Sequence, residues 1–339
     1  MADVAKRAGV SLSTVSYALS GERPISAATR ERVRRAMEEL DYAPNALARG
    51  LASRRSSIIA LLLPTSETDT DPFMAEIIFG ATEQAQRSDH HLLLWTDPSV
   101  ESRRLVELTR QGLIDGALVT AVRLDDPRVS VLSEAGLPFT LIGRNATCEL
   151  VDHVDADDEQ AVELTIGHLA ELGHRRVAFI GADLDEAVSG GFGIMVRLVE
   201  QLRRAADAAG MELTFHGAER SSAGGRSLIR HVVGAAPEVT AAIVMNDLAV
   251  GGVLAGLEGA GLSVPEDFSV IGLLATSLVA ELTNPRLTTV SPSPARIGQL
   301  AAETLIGGLG RPERPPSGEL VGAALTIRES TARRSPTAP

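Results

Sequence analysis

Two hydrophobic patterns divide the chain near Ser57. Before it, apolar residues recur at helical spacing. Val4, Ala5 and Ala8 share one side of a first helix from Asp3 to Ala8. Gly9-Val10-Ser11 breaks that pattern, and Ser11 caps a second helix running to about Leu19, with Val15, Ala18 and Leu19 inward. Gly21 to Pro24 reads as a turn. Ser26 caps a third helix with Val33, Met37 and Leu40 on its inner face. Tyr42 and Pro44 end that unit, and Asn45 to Ala52 reads as a fourth, short helix.

After Ser57, short apolar runs alternate with amphipathic stretches of about 12–18 residues. The runs are Ile58–Leu63, Leu92–Trp95, Ala117–Val119, Phe139–Ile142, Val177–Ile180, Ala241–Met245 and Val270–Leu273. Continuous apolar runs suit parallel strands buried on both faces. Their alternation with helices predicts a doubly wound α/β architecture, long enough for two lobes. The polar, proline-bearing segment from Ser330 reads as a disordered tail.

Composition narrows this picture. The chain has 339 residues, enough for about two or three domains. Aromatic residues make up 3%, so the core must be aliphatic. No apolar run approaches the roughly 18 residues of a membrane span, and the start shows no signal peptide. The lone Cys148 favours a reducing cytoplasm. A net charge of −12 argues against a nucleic-acid partner until it is mapped. Residues 1–57 hold ten basic and six acidic side chains, and the rest holds 22 against 38. A basic head on an acidic body suits a head that docks on phosphates.

Two helices joined by a tight Gly-containing turn form a helix-turn-helix, whose second helix enters the major groove. Its outward residues are Leu12, Ser13, Ser16 and Tyr17, while Thr14, Ser16 and the first-turn N–H groups can bind phosphate. A plain three-helix bundle with a solvated face would show the same periodicity.

Three ungapped stretches go further. Asp3-Val4-Ala5-Lys6-Arg7-Ala8-Gly9-Val10-Ser11-Leu12-Ser13-Thr14-Val15-Ser16 closely resembles the headpiece of the lac repressor/gal repressor family of bacterial transcription regulators. So do Ile25 to Val33 and Leu40 to Ala52. The resemblance implies that Leu12, Ser13 and Tyr17 read bases, and that Ser11, Thr14, Ser16 and Arg30 support or contact the DNA backbone. It implies that Asn45 to Leu51, including Ala48, form a hinge helix that folds on DNA. Leu51 would then be the apolar wedge that unstacks a central base step. A helix of about eight residues is marginal by itself. Gly50 costs it about 1 kcal/mol more, so a partner and DNA decide whether it forms. Family members carry several residues before the Asp-Val-Ala run, which implies a start upstream of Met1.

The resemblance continues to about residue 329, through Gly112-Leu113-Ile114-Asp115-Gly116, Leu137 to Arg144, His168 to Gly181, Met245-Asn246-Asp247 and Gly261 to Gly272. It implies a two-lobed domain similar to periplasmic sugar-binding proteins, with a small-molecule effector in the cleft. Position by position, Phe73, Arg144, Asp157, Arg197 and Asn246 would line it. Asp247 reads rather as a helix N-cap. Three departures stand out: Leu273-Leu274-Ala275 replaces an aromatic and two acids, Pro292 replaces a polar amide, and the motif around Arg197 is blurred. A polyol without those anchors leaves hydroxyls under-satisfied at about 1–3 kcal/mol each. The effector expected here is therefore not a typical simple sugar.

The organisation expected is a helix-turn-helix headpiece at 1–44, a hinge and linker at 45–56, and an effector-binding and dimerisation domain at 57–329. Its first lobe takes 57–156 and 289–318, its second 157–288 and 319–329, and 330–339 is the tail. The expected activity is operator-specific repression by a homodimer on double-stranded DNA, modulated by the effector, with no cofactor, metal or catalytic site. Gly190-Gly191-Phe192-Gly193 fails the dinucleotide spacing, and no Gly-x-Ser-x-Gly or Walker loop occurs. His168 and His174 read as packed or solvated, and Asp155, Asp157 and Asp158 as charge and cap at a helix start. A ligand-binding module with a non-functional head is the alternative.

Overall fold

A computed structural model describes residues 1–20, 23, 25–41, 56–63, 72–96, 103–311 and 313–334. They form two compact units: 1–58 with 103–115, and the remainder.

The first unit opens with three helices, α1 (Ala2–Ala8), α2 (Leu12–Ser20) and α3 (Ala27–Glu39). Gly9 ends α1 in the left-handed conformation (φ 64°), which glycine adopts without a Cβ penalty. Ser26 caps α3 by accepting the Thr29 N–H at 3.1 Å. Val4, Ala5, Ala8, Val15, Val33 and Ala36 form the small core, with Met37 packed against it. Leu40, expected inward, is 43% exposed. The helix stops at Glu39, so Leu40 leaves the helical phasing and Ala36 fills the inner face. The side chain of Leu19, and Tyr42, Pro44 and the expected fourth helix, lie outside the described residues. Later in the chain the same unit takes up a helix over Arg103–Arg110 and Asp115, whose carboxylate accepts the Ser56 and Ser57 N–H groups at 2.8 Å each.

The second unit holds two sheets, each of six strands among the described residues. The first contains β1 (Ile58–Leu62), β2 (His91–Trp95), β3 (Gly116–Val119), β4 (Phe139–Ile142), β5 (His153–Ala156) and β11 (Gly318–Val321), ordered β11-β5-β4-β3-β1-β2. The second contains β6 (Arg176–Ala182), β7 (Glu212–Ala218), β8 (Ala241–Met245), β9 (Ser269–Leu273), β10 (Thr288–Ser291) and β12 (Ala324–Thr326), ordered β12-β10-β9-β8-β6-β7. Strand β12 runs antiparallel to β10, while β6, β7, β8, β9 and β10 pair in parallel. Both sheets reverse their winding beside their first strand, so ligand chemistry belongs beyond the carboxyl ends of the strands.

The helices of this unit used below are α4 (Pro72–Arg87), α7 (Asp158–Glu171), α9 (Gly193–Ala208), α10 (Ser222–Ala235), α11 (Asp247–Glu258), α12 (Ser277–Leu282) and α13 (Pro294–Gly308). The remaining three are α5 (Arg103–Arg110, in the first unit), α6 (Pro127–Glu134) and α8 (Leu184–Ser189). The core is aliphatic, with Phe179 and Phe268 the only aromatics among the largest fully buried side chains of the described residues.

Three boundaries differ from expectation. Strand β10 belongs to the second sheet and β11 to the first, so the chain changes lobes after Ser291 and after Val321, each time on completing a strand. Nor does an untethered tail begin at Ser330. The Ser330 side chain is fully buried, accepts the Thr288 N–H at 2.8 Å and donates to Val270 O. Thr331 meets His168 Nε2 at 3.0 Å. The Arg334 N–H donates to Leu172 O at 2.8 Å. His174, buried beneath this strap, contacts the hydroxyls of Thr240 at 2.9 Å and Ser269 at 3.0 Å. Burial holds both imidazoles below the usual histidine range.

Candidate DNA-reading head and effector cleft

In the head, the Ser11 hydroxyl accepts the Thr14 N–H at 3.1 Å and lies 2.8 Å from the hydroxyls of Ser13 and Thr14. This caps α2 and clusters three hydroxyls at its start. Val15 faces the core, leaving Leu12 (54% exposed) and Ser13 exposed, and Ser16 and Tyr17 partly exposed. The Arg23 guanidinium stacks over the Tyr17 ring, 5.2 Å from its centroid, which the periodicity of α2 did not foretell. Arg7 pairs with Glu39, and Arg34 and Arg35 pair with Glu31. The hydrogen bond from Arg34 draws the Glu31 carboxyl down to about 2. Lys6, Arg23, Arg30 and Arg32 have no carboxylate partner among the described residues, so their charge remains for phosphates. Asn45, Ala48 and Leu51 lie outside the described residues.

The expected cleft residues divide. Arg144 follows β4, and Arg197 lies in α9. They meet at a pair of carboxylates, Asp155 at the end of β5 and Asp158 opening α7. Asp157 does not join them: its carboxylate accepts the Gln160 N–H at 3.0 Å and caps α7. One residue along a strand-to-helix turn reverses the direction of a side chain, so Asp157 caps while Asp155 and Asp158 face the arginines. Asp155 and Asp158 thus pair with the cleft arginines and do not serve simply as helix-start charge. Burial raises the Asp155 carboxyl above its ordinary range despite both guanidinium groups. Burial also opposes ionisation of Asp158, but hydrogen bonding and charge from Arg197, and charge from Arg144, hold it below that range.

Phe73, in the first turn of α4, is partly buried against the aliphatic core. Asn246 stands at the start of α11, buried, and its Nδ2 donates to Glu219 O at 3.3 Å and Ala218 O at 3.4 Å. The Asp247 carboxylate reaches beyond its own helix: it accepts the N–H and hydroxyl of Thr276, whose hydroxyl caps α12 by accepting the Val279 N–H. Leu273, Leu274 and Ala275 are all buried, with Leu274 at φ 55°, so no carboxylate comes from that turn. Among the described residues, the buried side-chain atoms without a hydrogen-bond partner include Asn145 Oδ1 beyond β4, Ser291 Oγ ending β10, and Gln201 Oε1 beside the arginines.

A helix-turn-helix head whose Lys6, Arg23, Arg30 and Arg32 have no carboxylate partner among the described residues, together with a two-lobed α/β unit whose polar groups gather beyond the strand ends, defines a ligand-modulated DNA-binding regulator. Residues 1–45 match the lacI family of bacterial regulatory proteins, and residues 166–331 match a periplasmic binding protein-like domain. The HTH-type transcriptional regulator CelR of Thermobifida fusca is 33% identical, with 96% of each chain covered. AglR of Rhizobium meliloti is 31% identical, over 97% of this chain and 93% of that one. The structure of a CelR–cellobiose complex superposes with a TM-score of 0.71 at 30% identity, covering 97% of this chain and 98% of the other. The lac repressor dimer bound to operator and an anti-inducer gives 0.82 at 22% identity over 97% and 98%, which shows the shared fold. The chain belongs to the lacI family of bacterial regulatory proteins, and it is a transcription regulator.

Proposed function

We propose that this protein is a cytoplasmic homodimeric repressor that binds a pseudo-palindromic operator and loses or gains affinity when a small molecule enters between its lobes. The observation that carries the DNA reading is the face of α2: hydroxyls clustered at its capped start and Tyr17 under Arg23, which, like Arg30 of α3, has no carboxylate partner among the described residues. Ser13 and Tyr17 read base edges, and Thr14, Ser16 and Arg30 hold the backbone. Asn45, Ala48 and Leu51 supply the hinge by family resemblance. Exposed apolar side chains support the dimer: Phe79 on α4 at 72%, and Leu278 and Leu282 on α12 at 59% and 77%. Homodimer faces are more apolar than ordinary surface.

The effector we infer is neutral and less polar than a monosaccharide. The cleft arginines already hold carboxylates, and the turn at 273–275 is apolar. The unpartnered acceptors at Asn145 and Gln201 call for a ligand with a few hydrogen-bond donors. Phe73 and Asn246 complete the proposed lining. The similarity to CelR, solved with cellobiose, favours a second reading, a β-linked disaccharide.

Selection from random duplex DNA with the full-length chain, at near-physiological salt, tests the first claim. Enrichment of a pseudo-palindrome with a flexible central step supports it; absence of enrichment favours a ligand-binding module with an inactive head. Titration calorimetry with cellobiose and with monosaccharides tests the second. Tight binding of a monosaccharide overturns the inferred effector class.

A further inference from the structure

We propose that Arg144, Asp155, Asp158 and Arg197 form a latch between the two lobes, built from two halves that are each electrically neutral. Arg144 follows β4 and Asp155 lies in β5, both strands of the first sheet. Asp158 and Arg197 stand on α7 and α9, which pack on each other, and α7 also meets β9, β10 and β12 of the second sheet. Each arginine gives its Nε to the aspartate of its own lobe: Arg144 to Asp155 at 3.1 Å, Arg197 to Asp158 at 2.8 Å. Each gives its Nη2 to the aspartate of the other lobe: Arg144 to Asp158 at 2.5 Å, Arg197 to Asp155 at 2.6 Å. The result is a closed ring of two cations and two anions. The side chains are 19% exposed for each arginine, 10% for Asp155 and 2% for Asp158.

Backbone bonds seal the same seam. The Leu124 N–H donates to Gly191 O at 2.8 Å, and the Gly193 N–H to Val122 O at 2.9 Å. Arg197 Nη1 donates to Arg144 O at 2.9 Å, and Arg123 stacks on Phe192 with 5.4 Å to the ring centroid. The approach is close enough to require Gly193, because a Cβ there would lie 2.5 Å from Arg144 O.

The pairing pattern determines how this seam can open. Stranding a buried charge is the expensive event in breaking an ion pair. Had each arginine paired only across the seam, separation would strand four charges. Here separation breaks only the crossed bonds, and each lobe keeps its own neutral Arg–Asp pair. The ring is therefore strong when shut yet can part without leaving an orphan. It also occupies the guanidinium edges that a neutral polyol would use, since charge-assisted bonds are roughly twice as strong as neutral ones. An entering effector competes with the crossed bonds alone.

The test compares removal of one charge with removal of one whole half, in the full-length protein. Asp158→Asn leaves two buried cations and one anion. Asp158→Asn with Arg197→Met removes the second-lobe half and leaves the first neutral, and Arg144→Met with Asp155→Asn does the converse. Hydrogen exchange at the Leu124 amide, a cross-seam donor, reads the latch, and urea unfolding reads stability. Both paired variants should speed exchange at Leu124 by about tenfold or more while amides in the strand cores keep their protection. Asp158→Asn should have a lower urea midpoint than the paired variant containing it. Should the single variant fail to fold, the exchange of the two paired variants still decides. Unchanged Leu124 exchange in both paired variants, or a paired variant less stable than its single, overturns the latch. Gly193→Ala leaves all four charges in place and should also speed Leu124 exchange; no acceleration there overturns the close seam.

Discussion

Helices α4 and α13 touch backbone to backbone through two glycines, and that contact yields a prediction whose sign is not obvious. Glycine within a helix costs about 1 kcal/mol relative to alanine, so Gly80→Ala and Gly298→Ala should stabilise if only propensity mattered. The geometry opposes this. A Cβ on Gly80 would lie 2.0 Å from Ala295 O, and one on Gly298 would lie 2.0 Å from Ile77 O. Ordinary contact begins near 3.4 Å, so either methyl must drive the helices apart by more than an ångström. Ile77, Ala81, Ile297 and Ala301 around the contact are at most 3% exposed, and all would lose packing together. Overpacking of this kind costs about 1–3 kcal/mol and occasionally more, and the obstacle here is backbone, which cannot rotate away. Each variant should therefore be less stable than the parent by about 1–2 kcal/mol after the propensity gain. The double variant should lose less than the sum, because the first methyl already separates the helices. Gly251→Ala in α11 and Gly167→Ala in α7 are the controls, since no atom lies within 4 Å of a Cβ at either position. They should gain roughly 0.5–1 kcal/mol. Urea unfolding of the parent and the five variants, followed by circular dichroism, decides the matter. Gly80→Ala matching the gain of Gly251→Ala would refute the close approach. Phe79 precedes Gly80, so a displaced α4 should also weaken the proposed dimer.

Four further outcomes are expected. Burial keeps His168 and His174 neutral in the fold, so the stability they permit is complete above about pH 6.5 and declines as pH falls below it; urea midpoints should fall across that range, less steeply in His168→Gln/His174→Gln, and equal slopes would refute the assignment. Ser26→Ala removes the cap of α3 and should cost the head about 1 kcal/mol, read as a lower melting temperature. Arg30→Ala should weaken all operators alike and lower the salt slope by about one, whereas Tyr17→Ala should relax preference at one base pair, both measured by fluorescence anisotropy. Phe79→Glu and Leu282→Glu should shift the sedimenting species to monomer; an unchanged dimer mass would place the interface elsewhere.

The central strands were legible because parallel strands buried on both faces need unbroken apolar runs. Strands β1, β3, β4, β6, β8 and β9 coincide with such runs, and the edge strand β2 carries one too although it is mostly exposed. The strands that escaped notice do not have them. His-Val-Asp-Ala at β5 mixes polar and apolar residues, β7 lies at a sheet edge with its side chains only partly buried, and β11 and β12 are three or four residues long. Their strand character comes from partners far away in sequence. The head was legible for the opposite reason, since caps and short-range periodicity settle it within 40 residues.

The cleft shows where local reading stops. Arg144 and Arg197 could be named from their motifs, but their carboxylates could not. Asp155 and Arg197 are 42 residues apart and meet because two lobes close on each other. Asp155, Asp157 and Asp158 look alike as a run of acids before a helix, yet one caps and two face inward. Charge balance supplies the missing constraint. Two largely buried guanidinium groups require compensating carboxylates, because an unpaired buried charge costs several kcal/mol. The turn at 273–275 is apolar and offers none. The compensation must then come from another element near the strand ends, and the acids opening α7 are the candidates that the chain retains there. The apolar turn at 273–275 and the inward-facing Asp155 and Asp158 are thus two sides of one electrostatic requirement.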